Sequence, residues 1–241
     1  MVTLKIDGRE IQAESGKTVL EAAQDNNIYI PTLCVSEAVA AYGACRLCMV
    51  EITTGKRKRL VASCLYEVSN GLVVETQTER VLNIRRLVME LLLARCPNSP
   101  EVIEMARSVG IEASRFQAEE ENNFCVLCAL CTRVCREVVG KSAISLVSRG
   151  TERKVALPFC DDADACIACG SCAQICPTDA ITMEDQGDKR IITWPSSSHE
   201  FKMKKCESCG NYFAPEKQVS FMMKKSGLEA EKFNLCMTCR P

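Results

Sequence analysis

The spacing of its cysteines is the feature that most constrains this 241-residue chain. Sixteen of the eighteen cysteines fall into four groups of four: Cys34, Cys45, Cys48 and Cys64; Cys125, Cys128, Cys131 and Cys135; Cys166, Cys169, Cys172 and Cys176; Cys206, Cys209, Cys236 and Cys239. So many cysteines indicate either a secreted disulfide scaffold or a metal protein. Residues 1–7 alternate polar and apolar side chains and do not resemble a signal peptide. We therefore expect a cytoplasmic protein whose thiolates bind metal.

Composition narrows the architecture and the partners. The cysteine groups divide the chain into small modules, each of which needs metal binding to supply much of its folding free energy. The net charge of −1 gives no support for a nucleic-acid or anionic-membrane partner. The one basic run, residues 56–59, is predicted to be a solvated hairpin loop. No apolar run approaches the roughly 18 residues that a membrane span needs.

The first module, residues 1–78, has the pattern of a β-grasp fold. A hairpin is predicted at residues 2–13 around Asp7-Gly8. Thr18 and Glu21 form a capping box for a helix at 19–26. Further strands are predicted at 48–52, 59–63 and 72–75.

The cysteine spacing within this module suits a two-iron cluster. Cys34, Cys45 and Cys48 lie on one loop and a later strand brings Cys64, while Gly43 leaves room for the backbone to approach. The loop is six residues longer than the plant-ferredoxin Cys-x4-Cys-x2-Cys spacing. We predict one [2Fe-2S] cluster on these four cysteines, with structural zinc as the alternative.

The longer loop carries a family resemblance. Residues 31–34, Pro-Thr-Leu-Cys, and 43–48, Gly-Ala-Cys-Arg-Leu-Cys, resemble the N-terminal domain of the large iron–sulfur subunit of respiratory complex I. They are equally similar to the small iron–sulfur subunit of NAD-linked hydrogenases and to the N-terminus of iron-only hydrogenases. The resemblance covers about residues 1–193.

A helical connector is predicted at residues 79–122. Apolar residues at helical spacing form the predicted buried stripe: Val81, Ile84, Val88, Leu91 and Leu92. Ser99, Pro100 and Gly110 frame a second helix. In the complex I family this stretch carries a His-x3-Cys-x2-Cys-x5-Cys cluster, but here it offers only Cys96. We therefore expect that cluster to be absent.

The third module, residues 123–193, contains an internal repeat. Two Cys-x2-Cys-x2-Cys-x3-Cys half-sites lie forty-one residues apart, and Pro177 follows the second, whereas Arg136 follows the first. In bacterial ferredoxins the first three cysteines of a half-site hold one four-iron cluster and the fourth binds the other. We therefore predict two [4Fe-4S] clusters, held by Cys125, Cys128, Cys131 and Cys176, and by Cys135, Cys166, Cys169 and Cys172. Cys96 and Cys160 are predicted to be packed free thiols.

The C-terminal module, residues 196–241, follows a serine run at 196–198 that we interpret as a linker. Two Cys-x2-Cys turns, here called knuckles, supply Cys206, Cys209, Cys236 and Cys239. Four thiolates in two such pairs suit a closed, structural Zn²⁺ site. Because 26 residues separate the knuckles, a fourth iron–sulfur cluster is the alternative.

These modules predict an α+β chain that relays electrons and has no substrate site of its own. The sequence contains no Gly-x-Gly-x-x-Gly fingerprint for a dinucleotide. The resemblance implies a cytoplasmic NAD(P)H-linked complex in which a separate flavin subunit oxidises NAD(P)H. Electrons would pass between that subunit and a catalytic subunit (hydrogenase, formate dehydrogenase or bifurcating type) or ferredoxin. The alternatives are a redox-sensing regulatory protein and a free-standing polyferredoxin.

Overall fold

The computed structural model describes residues 1–118, 124–160 and 162–240, and it divides the chain into two compact units. The units are Met1–Ala129 and Leu130–Pro241. The predicted passage from the connector to the next module, at residues 119–123, lies outside the described residues, as does the side chain of Cys160. No helix among the described residues is both long enough and apolar enough to cross a membrane.

The first unit is a five-stranded sheet with one helix packed on it and two helices after it. Its elements are β1 (Val2–Ile6), β2 (Arg9–Ala13), α1 (Val19–Asp25), β3 (Met49–Thr54), β4 (Arg57–Ala62), β5 (Val73–Glu75), α2 (Glu79–Arg95) and α3 (Pro100–Ser108). The strand order is β2-β1-β5-β3-β4, and β1 and β5 are parallel. This arrangement confirms the predicted β-grasp fold.

Local sequence explains the first elements of this unit. Asp7 and Gly8 adopt φ values of +49° and +78°, as a tight hairpin turn with the twist of its strands requires. The Thr18 hydroxyl accepts from the Glu21 amide, and the Glu21 carboxylate accepts from the Thr18 amide, which confirms the capping box. α1 then buries Val19 and Leu20 in the apolar core beneath the sheet.

Most of the basic run at residues 56–59 lies in a strand and not in a loop. Only Lys56 lies in the turn, since β4 already begins at Arg57 and pairs with Thr54 of β3. These side chains are exposed as predicted, and Lys58 forms an ion pair with Glu75 at 2.9 Å. A two-residue turn suffices here because the left-handed conformation of Gly55, at φ +61°, closes the hairpin.

The buried stripe of α2 is rotated from the predicted one. The helix buries residues at four-residue steps together with one neighbour near its end: Val81, Arg85, Met89, Leu93 and Ala94. Leu91, predicted to be buried, is 48% exposed. Periodicity misplaced the stripe because a buried arginine occupies a position that an apolar residue was expected to take.

Arg85 tolerates burial because it is hydrogen-bonded to the loop that carries the first cysteine group. Its Nε donates to the Leu47 carbonyl at 3.2 Å and its Nη2 donates to the Met49 carbonyl at 2.9 Å. Burial lowers the pKa of Arg85 from its ordinary value. The guanidinium thus joins α2 to the backbone on both sides of Cys48 and supplies donors to two backbone carbonyls.

The second unit combines short helices with a four-stranded sheet. Its elements are α4 (Leu130–Arg133), which continues as a π-helical turn (Val134–Val138), β6 (Ser145–Val147), β7 (Lys154–Ala156), α5 (Ser171–Gln174), β8 (Thr182–Gln186), β9 (Lys189–Trp194), β10 (Ser197–Lys205), β11 (Tyr212–Pro215) and α6 (Glu216–Ser226). The larger sheet has the antiparallel order β11-β10-β9-β8, while β6 and β7 form a separate pair.

The interpretation of residues 196–198 as a linker is wrong. Ser197 begins β10 and pairs with Trp194, so these residues form a hairpin between β9 and β10. The Ser196 hydroxyl donates to the Val155 carbonyl of β7 at 3.1 Å. Alternating burial of Phe201 and Met203 fixes β10 on the sheet up to the first knuckle.

We predict that Arg85→Met lowers the thermal stability of the first unit. The substitution keeps much of the side-chain length but leaves two carbonyls without donors, a loss of about 2 kcal/mol. We expect the midpoint of thermal unfolding, followed by the visible absorbance of the predicted two-iron cluster, to fall by roughly 5–10 °C. The exposed neighbour Arg86 provides the control, and an equal effect of Arg86→Met would contradict this role of Arg85.

Candidate metal centres

The first cysteine group is completely buried in the first unit. Cys34, Cys45 and Cys48 lie on the long segment between α1 and β3, and Cys64 lies on the helical turn Ser63–Leu65 that follows β4. Their exposures are 0%, 5%, 0% and 1% respectively. Four buried sulfurs can all be ionised only if a group between them takes up their charge.

The four sulfur atoms form two pairs. The Cys45 amide donates to the Cys34 sulfur at 3.4 Å, and the Cys64 and Cys48 sulfurs lie 3.4 Å apart. The contact between these two thiols lowers the pKa of Cys48 to about 6. Two pairs fit a two-iron rhomb, in which each iron binds two thiolates.

The backbone around this site approaches closely. Gly43 has a φ of +69°, and a Cβ there would lie 2.5 Å from Cδ1 of Leu65. The Leu33 amide points at the Cys45 sulfur at 3.5 Å. Within the described part of the chain, the Ser63 hydroxyl is fully buried and has no hydrogen-bond partner, although it lies near Cys48 and lowers the pKa of that thiol. A cluster with sulfide acceptors fits such a site.

A second group of cysteines lines one pocket in the second unit. Cys135, Cys166, Cys169 and Cys172 all face this pocket, whose apolar wall includes Ile144, Ile192 and Trp194. The Ala143 amide donates to the Cys135 sulfur at 3.2 Å, and the Ala168 amide donates to the Cys166 sulfur at 3.3 Å. These are the four residues of the second predicted four-iron set, in which the fourth cysteine of one half-site joins three from the other.

The indole nitrogen of Trp194 tests whether this pocket fits a sulfur-rich group. Trp194 is 2% exposed, and its Nε1 has no hydrogen-bond partner among the described residues. Burial raises the pKa of the Cys172 thiol to about 12, and the nearby Trp194 N–H acts in the opposite direction. A cluster bound by the four cysteines would offer this donor an acceptor.

The repeat seen in the sequence is also present in the backbone. Leu127 and its counterpart Ala168 have φ values of +54° and +56°, and Ala129 and its counterpart Gly170 have +64° and +77°. Positive φ is uncommon for residues other than glycine. Its recurrence at equivalent positions shows that both half-sites fold into similar tight turns, and in the second half-site the turn directs the Ala168 amide to the Cys166 sulfur.

The other predicted four-iron set remains a prediction from the repeat. Cys125 and Cys128 belong to the first unit, and Cys131 and Cys176 belong to the second. Cys125 and Cys176 are half-buried, and Cys128 and Cys131 are buried. Arg95 at the end of α2 donates to the Cys125 carbonyl at 3.1 Å, which anchors the start of the half-site to the connector helix.

The C-terminal knuckles converge on a compact site. The sulfur atoms of Cys206, Cys209, Cys236 and Cys239 all lie within 4.8 Å of one another, and those of Cys209 and Cys236 are 3.8 Å apart. Two thiolates on one tetrahedral ion are about 3.8 Å apart when each metal–sulfur bond is about 2.3 Å long. A four-iron cluster would separate its thiolates further, because irons and sulfides lie between them. The geometry therefore fits a single ion.

Backbone amides prepare these thiols for metal binding. The amide of Cys209 is the main cause that lowers the pKa of Cys206 to about 6, and the amide of Cys239 likewise lowers the pKa of Cys236. The Cys236 amide also donates to the Cys206 sulfur at 3.4 Å, which links the two knuckles. Cys209 remains exposed, so one side of the site faces solvent.

Comparison with known proteins identifies the family. Residues 1–79 match the 2Fe-2S iron–sulfur cluster binding domain, and residues 165–211 match the 4Fe-4S dicluster domain. A chain in the structure of an NAD⁺-reducing [NiFe]-hydrogenase in the H₂-reduced state is 30% identical, with a TM-score of 0.58. That match covers 65% of this chain and 74% of the hydrogenase chain. The chain belongs to the family of iron–sulfur subunits of NAD(P)-linked hydrogenases and NADH-quinone oxidoreductases.

Two curated members of this family show how much of a longer protein the chain matches. The NADP-reducing hydrogenase subunit HndD of Solidesulfovibrio fructosivorans is 33% identical over 211 residues, which cover 75% of this chain and 36% of the relative. A subunit of the NADH-quinone oxidoreductase of Rhizobium meliloti is 32% identical over 206 residues, which cover 75% of this chain and 24% of the relative. The chain thus spans about a quarter to a third of these relatives.

The dicluster family match and the fold group the cysteines of the C-terminal part differently. The dicluster match includes the second half-site and the first knuckle, Cys206 and Cys209, but does not include the half-site at 125–135. In the second unit, however, it is Cys135 that lines a pocket with Cys166, Cys169 and Cys172.

The sequence did not predict three side chains that lie beside the candidate sites: Arg85, Ser63 and Trp194. Of these, only Trp194 stood out in the sequence, as its single tryptophan.

We predict that Cys135→Ser removes one four-iron cluster although its nearest cysteine neighbours in sequence belong to the other set. Crossed ligation requires a loss of about four irons per chain with the second cluster retained. Iron analysis and electron paramagnetic resonance of the reduced protein measure both. Cys96→Ser is the control, because Cys96 is buried but lies in none of the four groups. Unchanged iron in Cys135→Ser would contradict the assignment.

Proposed function

We propose that this chain is the iron–sulfur electron-transfer subunit of an NAD(P)H-linked multi-subunit oxidoreductase of the cytoplasm. The observation that carries the proposal is the presence of separate cysteine sites of two kinds in one chain of this family. One is the buried group at Cys34, Cys45, Cys48 and Cys64, and the other is the pocket of Cys135, Cys166, Cys169 and Cys172. Such centres exchange single electrons and need no substrate site beside them.

The cofactors we propose are one [2Fe-2S] cluster, two [4Fe-4S] clusters and one Zn²⁺. The two-iron cluster takes the first cysteine group and the four-iron clusters take the crossed sets of the repeat. Zinc at Cys206, Cys209, Cys236 and Cys239 is supported by sulfur separations that match a single tetrahedral ion. Zinc has no accessible redox couple, so the C-terminal module would brace the chain or dock a partner and would carry no electrons.

The proposed partners follow from the number of electrons that each step transfers. Oxidation of NAD(P)H transfers two electrons, whereas each cluster accepts one, so a flavin-containing subunit is needed to divide the pair. A catalytic subunit or ferredoxin then exchanges electrons with the other end of the relay. Plant-type two-iron centres have potentials of about −400 mV, which is within reach of ferredoxin and NAD(P)H chemistry.

Two observations favour a built-in subunit over the alternatives. A redox sensor requires solvent-exposed, labile clusters, but the first cysteine group is at most 5% exposed. A free ferredoxin steers to its partners by a strong acidic charge. This chain has a net charge of −1 and exposes Leu87 and Leu91 on α2.

We predict that anaerobically purified protein contains about ten irons and one zinc per chain. Cys236→Ser should remove the zinc and leave the iron unchanged, because only the C-terminal site uses this residue. About fourteen irons without zinc would make the tail a fourth cluster. Fewer than about six irons with several zincs would overturn the electron-relay proposal itself.

We also predict that the tagged chain, isolated from its native host, copurifies with a flavoprotein. In that complex NAD(P)H should bleach the cluster absorbance, whereas the isolated chain should respond only to dithionite. The comparison between complex and isolated chain is the internal control, because both contain the same clusters. Recovery of the chain alone, in full yield and with all its iron, would instead favour a free-standing ferredoxin.

A further inference from the structure

Trp194 is the only tryptophan of the chain, and it is buried at the wall of the pocket lined by Cys135, Cys166, Cys169 and Cys172. It ends β9 and is 2% exposed. Its nitrogen is one of few buried side-chain donors without a hydrogen-bond partner among the described residues. Buried donors almost always have acceptors, and an unsatisfied one costs about 1–3 kcal/mol. The position of this N–H therefore needs an explanation.

The neighbouring strand holds the indole ring in its orientation. Two aromatic side chains of β10 contact the ring edge-on: His199 with centroids 6.1 Å apart at 60°, and Phe201 with centroids 6.5 Å apart at 79°. The tight hairpin places Ser197 directly opposite Trp194. Because the ring is enclosed on these sides, its direction relative to the pocket is set by the fold and not by free rotation.

The pocket beside the indole is lined by four cysteines. Cys135, Cys166, Cys169 and Cys172 line the same cavity as Trp194. Ala143 and Ala168 already direct backbone amides to the sulfurs of Cys135 and Cys166. The Trp194 N–H, which has no hydrogen-bond partner among the described residues, is a further donor at this cavity.

We propose that the Trp194 indole N–H donates a hydrogen bond to sulfur of the four-iron cluster held in this pocket and thereby raises the reduction potential of that cluster. The inference rests on the proposed function, because it requires a cluster on these four cysteines. Trp194 is a positioning and tuning residue and takes no part in binding iron.

The direction of the effect follows from charge. One-electron reduction adds a negative charge that is spread over the cluster sulfurs, so an N–H directed at them stabilises the reduced form more than the oxidised form. Removal of the donor should lower the ratio of reduced to oxidised cluster at a fixed potential about tenfold, which for one electron corresponds to about 59 mV.

The test is a redox titration of Trp194→Phe, followed by electron paramagnetic resonance. Phenylalanine keeps an aromatic ring between the pocket and β10 but has no N–H. We expect one four-iron signal to shift to lower potential, with the iron content and the potentials of the other clusters unchanged. Tyr212→Phe is the matched control, because it removes the hydroxyl of an aromatic side chain on β11 in the same sheet, and Tyr212 does not line the pocket.

A second measurement covers the case in which Trp194→Phe does not assemble. Because the chain has one tryptophan, indole labelled with ¹⁵N marks this nitrogen alone. Pulsed electron paramagnetic resonance of the reduced wild-type protein should detect a ¹⁵N coupling to a four-iron cluster. An assembled variant with unchanged potentials, or the absence of that coupling, would overturn the inference. A wild-type protein without four-iron signals would instead contradict the proposed function.

Discussion

Four thiolates can bind one metal centre only if the backbone turns sharply between them, and most of this structure serves that requirement. Arg46, Leu127 and Ala168 adopt positive φ although none of them is glycine, and each lies between two cysteines of a Cys-x2-Cys turn. Such turns cost free energy, which metal–sulfur bonds and amide–sulfur hydrogen bonds offset. The rest of each unit stabilises these loops from outside.

The two units achieve this by different means. In the first, a β-grasp sheet supplies a continuous apolar core, and the buried guanidinium of Arg85 joins α2 to the cysteine loop at Leu47 and Met49. In the second, β9 supplies Ile192 and Trp194 to the cysteine pocket, and the sheet continues through β10 to the knuckles. β10 contacts the Trp194 ring through His199 and leads directly to Cys206. A structural ion at the knuckles would thereby also stabilise the wall of the pocket.

Much of the fold and the candidate sites could be predicted because their causes are local in sequence. The Asp7-Gly8 turn, the Thr18 capping box and the cysteine spacing each depend on residues a few positions apart. Two other predictions were wrong because contacts between residues distant in sequence determine the structure there. The predicted buried stripe of α2 did not include Arg85, because the carbonyl that accepts from its Nε lies on a loop distant in sequence. The predicted linker at 196–198 is a hairpin because β9 pairs with the strand that follows it. Alternation of apolar residues at Phe201 and Met203 could have indicated that strand.

We propose that the chain is a relay of three one-electron centres with a redox-inert tail, and this proposal can be tested by counting electrons. Coulometric titration of the purified, fully assembled protein tests it most directly, because it counts the electrons that the chain accepts regardless of partner or substrate. We expect an uptake of about three electrons per chain, one for each cluster. An uptake of about four would make the C-terminal site a redox centre, and an uptake near zero would contradict electron transfer by this chain.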